Sequence, residues 1–138
     1  MSLKFLCNKC RTWLQQNSSE LPTKCRDSYQ WGVQRAKEGD LENALGGVGS
    51  AFEMAEMMLQ SKVASSDYAA KCLVTTSEVL VRILGDLGRH QDGVMIQQKT
   101  DMLLSNVVGE IDFERIQPSL ARISRSAKGA RNYLKVVH

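Results

Sequence analysis

The sequence predicts an all-α protein folded as one domain over residues 1–138, with about six helices arranged as antiparallel hairpins. Apolar residues recur at three- and four-residue spacing in nearly every segment, and alternating Val/Ile/Thr runs of the kind strands need are scarce. Only two prolines interrupt the 138 residues, and several of the ten glycines sit where one periodic stretch gives way to the next. At 43% hydrophobic and 24% charged, a chain of this length buries roughly 70% of its unfolded surface and needs no disulfide staples. No composition shift marks an internal linker.

Leu3, Leu6, Cys10, Trp13 and Leu14 step by three and four, which predicts one continuous amphipathic helix from Leu3 to Leu14, ending in Asn17-Ser18-Ser19. Pro22 suits the first turn of a second helix, where its missing N–H costs nothing, and that helix carries Cys25, Tyr29, Gly32, Val33 and Ala36 toward a stop at Gly39. Asp40 is placed to cap a third helix with a long stripe from Leu41 to Leu59. Ser65-Ser66-Asp67 opens a fourth, the most hydrophobic by its Ala69–Leu87 stripe and the expected centre of the core, closed by Gly88. A fifth is expected from about Gln91 to Val107. Pro118 opens a last helix over 118–138, and residues 110–117 read equally as a short helix or a loop.

Two segments share a pattern around their turns. Trp31-Gly32 leads through Gly39 to Ala44 and Ala51, and Leu80-Val81 leads through Gly88 to Gly93 and Thr100. Each places a helix, a turn glycine and a second helix in order, and small residues let paired helices approach closely. The pattern resembles the tetratricopeptide-repeat family over residues 26–104, well in the first hairpin and less well in the second. The spacing departs from the family, because Gly39 and Gly88 are 49 residues apart against a repeat of ~34. The family's closing proline is replaced by Glu56.

The resemblance implies a surface, lined by the first helix of each hairpin, that accepts a protein or peptide segment. It implies partner-binding positions at Arg26, Tyr29, Val33 and Lys37 in the first hairpin and at Glu78 and Arg82 in the second. The family's Lys/Asn carboxylate clamp is not matched, and Tyr29 and Val33 suggest an apolar anchor flanked by charge.

Motifs with chemical potential are read as structural. Cys7-Asn8-Lys9-Cys10 has the spacing of a metal or redox pair, but Cys25 has no close partner to complete a zinc site. A redox pair needs a helix N-terminus, which a continuous Leu3–Leu14 helix does not provide. Small buried thiols are the expected reading. Gly46-Gly47-Val48-Gly49-Ser50 lacks the strand and the Lys-Ser/Thr of a phosphate loop, so close approach of a neighbouring helix is expected instead. Met54, Met57 and Met58, with Met95 and Met102, are read as core fillers rather than as an adaptable groove, and His90 as a capping or exposed residue. No catalytic residue, metal or cofactor is expected, and the chain is not read as an enzyme.

The net charge is +3, yet Arg115, Arg122, Arg125, Lys128, Arg131 and Lys135 follow the last acid, Glu114, leaving the rest mildly acidic. The alternative function is therefore a nucleic-acid-associated regulator using the basic C-terminal helix. Its charges circle that helix rather than forming one stripe, and Tyr133 is its only aromatic residue. A third reading is a homodimer through an apolar face with Phe5 and Trp13. No apolar run is long enough for a signal peptide or membrane span, which predicts a cytoplasmic protein, and the family resemblance implies an adaptor or chaperone-like module.

Overall fold

The computed structural model describes residues 3–107 and 109. The expected helix over 118–138 and the ambiguous stretch 110–117 lie outside the described residues. Within them the order is α1 (Asn8–Gln16), a 3-10 turn (Ser18–Glu20), α2 (Leu21–Lys37), α3 (Leu41–Ser61), α4 (Ser66–Asp86) and α5 (His90–Ser105). No strand occurs among them. From α2 onward each helix packs on the next, while α2 and α4 touch only lightly.

The helix ends are set by local chemistry. The Asp40 carboxylate accepts the Asn43 N–H at 3.3 Å, and the Ser65 hydroxyl accepts that of Tyr68 at 3.1 Å, each satisfying a first-turn donor that has no partner within the helix. The α2–α3 and α4–α5 turns are built alike. Gly39 and Gly88 take φ of +83° and +76°, and the following N–H returns to the penultimate turn, Asp40 to the Arg35 carbonyl at 2.9 Å and Arg89 to that of Leu84 at 2.7 Å. This left-handed closure suits glycine, which has no Cβ to clash.

The core is centred on α3 as much as on the expected α4. Val48, Ala51, Phe52, Ala55 and Met58 of α3 are sealed from solvent, as are Leu73, Leu80 and Leu84 of α4. Small residues are the reason. A Cβ added to Gly47 would lie 2.8 Å from the Trp31 ring and 2.9 Å from the Gly32 Cα, so α2 and α3 meet almost backbone to backbone. On the α4–α5 side, Ser77 and Thr100 are buried and their hydroxyls lie 2.6 Å apart, which satisfies both polar groups within an apolar interface.

The N-terminus corrects the sequence reading. Residues 3–7 are not helical, and α1 begins only at Asn8 with Cys7 as its N-cap. Two features outweigh the helical spacing of Leu3 and Leu6. The Phe5 ring lies over Gly49, where any Cβ would collide with it. The buried Glu53 carboxylate accepts the Phe5 N–H at 2.9 Å, the Leu6 N–H at 2.8 Å and the Arg11 guanidinium at 3.0 Å. A buried carboxylate is tolerated only with such a full set of partners, and here backbone groups a helix would leave open supply two of them.

Three further expectations change with it. Cys7 and Cys10 are exposed rather than buried, whereas Cys25 is buried and Cys72 half-buried. Phe5 is turned inward and does not share an outward face of α1 with Trp13. His90 begins α5 half-buried, makes no side-chain cap, and has both ring nitrogens enclosed without a hydrogen-bond partner among the described residues.

Candidate functional site

Both α2 and α4 are held by α3 rather than by each other, so a groove remains between them. Helical spacing brings Cys25, Arg26 and Tyr29 to its edge from α2, and Tyr68, Lys71, Cys72, Thr75 and Thr76 from α4. The enclosed volume is about 260 Å³. The buried Thr76 hydroxyl donates to a carbonyl of the preceding turn, Cys72 at 2.8 Å or Leu73 at 3.0 Å. The rim is cationic: Arg26 and Lys71 are exposed, and Arg26 reaches Asp27 at 3.3 Å.

Of the six residues singled out from sequence, Arg26 and Tyr29 line this groove. Tyr29 also lies close enough to Glu78 and Arg82 to feel both charges: burial, then Glu78, pushes its hydroxyl pKa upward, and Arg82 opposes them. Glu78 and Arg82 are one helical turn apart and 3.7 Å from each other. Val33 is half-buried against the core, and Lys37 is exposed in the last turn of α2; neither lines the groove.

Sequence reasoning missed the α4 wall. Cys72 and Thr76 fall within the Ala69–Leu87 stripe and read as core; the signal the sequence offers for the wall is Tyr68, Lys71, Cys72 and Thr75 at three- and four-residue spacing. Within that wall the Cys72 thiol is brought down to about 7, first by the Cys25 side chain, then by the Tyr68 hydroxyl and the Lys71 charge, against the opposing effect of burial. Cys25, whose sulfur donates to the Ala51 carbonyl at 3.3 Å, is pushed the other way by the neighbouring Cys72 side chain and by burial, so Cys72 is the more acidic thiol of the pair. The groove therefore joins two phenol rings, two exposed cations and an ionisable thiol in a partly apolar recess.

A second cavity of about 300 Å³ lies between the N-terminal segment, α3 and α5, with Leu3, Phe5, Phe52, Met95 and Met102 on its walls. Met95 and Met102 are exposed, while Met54, Met57 and Met58 fill the core as expected. Lys99 at its edge pairs with Glu56 at 3.2 Å. Among the described residues no group of three or more His, Cys, Asp or Glu is placed to hold a metal ion, and no helix is long and apolar enough to cross a membrane. The basic segment expected to contact nucleic acid lies outside the described residues. Neither protein-family models, nor curated proteins, nor solved structures give a match to this chain.

Proposed function

We propose that the chain is a cytoplasmic protein-interaction module of tetratricopeptide-like type, whose α2–α4 groove takes a peptide segment with an apolar anchor flanked by acidic residues. The observation that carries this reading is the pairing of Tyr29 and Tyr68 with Arg26 and Lys71 around one recess. Aromatic rings offer contact area at low conformational cost, and cations at a rim steer and select acidic partners. Beside Tyr29, Arg82 is paired with Glu78 at 3.7 Å, so the cationic contacts are those of Arg26 and Lys71. The role is one of binding rather than catalysis.

A random peptide library displayed against the full chain tests it. The expected outcome is enrichment of sequences with Asp or Glu bracketing Leu, Phe or Trp. Tyr29→Ala, or the double charge reversal Arg26→Glu with Lys71→Glu, is expected to weaken the selected peptides about thirtyfold, the equivalent of losing a ~2 kcal/mol anchor. Enriched peptides that bind both variants as well as the parent would place the interface elsewhere.

A further inference from the structure

The N-terminus of α1 carries two thiols in direct contact. Cys7 is the N-cap, its sulfur accepts the Cys10 N–H at 3.3 Å, and the two sulfurs are 3.0 Å apart and exposed. The chain on either side of them is tied to α3 by the hydrogen bonds Glu53 accepts from Phe5 and Leu6 before the pair and from Arg11 after it. Residues three apart in a helical turn have Cα atoms ~5 Å apart, inside the range a disulfide spans. The first turn holds no acid, Lys4 and Lys9 flank the pair in the sequence, and Arg11 is held by Glu53.

We propose that Cys7 and Cys10 are a redox-active dithiol that exchanges with small anionic disulfides of the glutathione type, Cys7 as the attacking sulfur and Cys10 as the resolving one. The asymmetry follows from the hydrogen bonds. Cys7, as the N-cap, accepts the Cys10 N–H at 3.3 Å at the positive end of the helix, which favours its thiolate, whereas Cys10 gives up its proton less readily beside a charged Cys7. Lys4 and Lys9, with no acid in the first turn, favour a substrate that brings carboxylates.

The exchange balances without any other reactant. The Cys7 thiolate forms a bond to one sulfur of the substrate disulfide, whose S–S bond breaks and releases the first thiolate. Cys10, losing its proton to solvent, then attacks the Cys7 sulfur and expels the second. The protein dithiol is oxidised by two electrons to a disulfide, and one substrate disulfide is reduced to two thiols.

Glutathione disulfide is the probe. Trypsin cuts after Lys4, Lys9 and Arg11, so a Cys7–Cys10 disulfide joins peptides 5–9 and 10–11 and is read separately from Cys25 and Cys72. The reduced full-length chain is expected to yield these joined peptides. Cys10→Ser is expected to stop at a glutathione adduct on Cys7, and Cys7→Ser to react at Cys10 at least ~10-fold more slowly. Both thiols are exposed, so helicity by circular dichroism is expected to be unchanged in either variant. A glutathione adduct that persists on Cys7 or Cys10 of the parent chain, equal rates in the two variants, or zinc that must be stripped before either thiol reacts would each overturn the proposal.

Discussion

Gly32 on α2 and Gly47 on α3 lie opposite each other so closely that a Cβ on Gly47 would sit 2.9 Å from the Gly32 Cα and 3.1 Å from its amide nitrogen. Backbone cannot give way as a flexible side chain can, so Gly47→Ala is expected to push the helices apart and destabilise the fold by ~1–3 kcal/mol. Its neighbour Gly46 has nothing within 4 Å of the same added atom. Gly46→Ala is therefore expected to stabilise by ~0.5–1 kcal/mol through helix propensity alone. Urea denaturation of the two variants checks the opposite signs.

Glu53 ties the N-terminal segment to α3. Glu53→Gln keeps the shape but removes the charge facing Arg11 and turns one acceptor oxygen into a donor toward a backbone N–H. The expected loss is ~2–4 kcal/mol, much of it from leaving buried donors without an acceptor. Hydrogen exchange is expected to localise the effect, with the Phe5 and Leu6 amides losing protection before those of α4.

Cys72 is expected to be the most readily alkylated thiol of the α2–α4 groove, with a rate that rises with pH about a midpoint near 7. Tyr68→Phe removes one of the donors to its thiolate and is expected to move that midpoint upward. Because the folded-state value lies below the ~8.5 of a free thiol, the stabilisation it brings is fully present above the free value and is lost as pH falls through about 7. The stability difference between the parent chain and Cys72→Ser is thus expected to widen from pH ~6 to pH ~9. A pH series of denaturation curves measures it.

Lys62 closes α3 in the left-handed region at φ +60°. A lysine there carries a Cβ–carbonyl clash worth ~1–2 kcal/mol, partly offset by the greater unfolded-state freedom of glycine. Lys62→Gly is expected to raise stability by ~0.5–1 kcal/mol, and Ser65→Ala, three residues on, to lower it by ~1 kcal/mol through loss of the α4 cap. Thermal melts of the two variants report these changes.

The boundaries of α2 to α5 were legible in the sequence because each is written in neighbouring residues. Pro22 at the start of α2, Asp40 and Ser65 as caps, and Gly39 and Gly88 as left-handed closures act over a single turn, and the apolar spacing between them reports the buried face directly. What only the tertiary structure decided depends on residues far apart in the chain. Leu3 and Leu6 carry helical spacing, yet Glu53 and Gly49, more than 40 positions away, capture Phe5 and Leu6 as non-helical chain and so expose the Cys7 and Cys10 thiols at a new helix start. The groove is the same kind of object. Tyr29 was legible on α2, but Tyr68, Lys71 and Cys72 join it only because α3 holds α2 and α4 side by side, and hydrophobic periodicity states which face is buried without stating which faces meet.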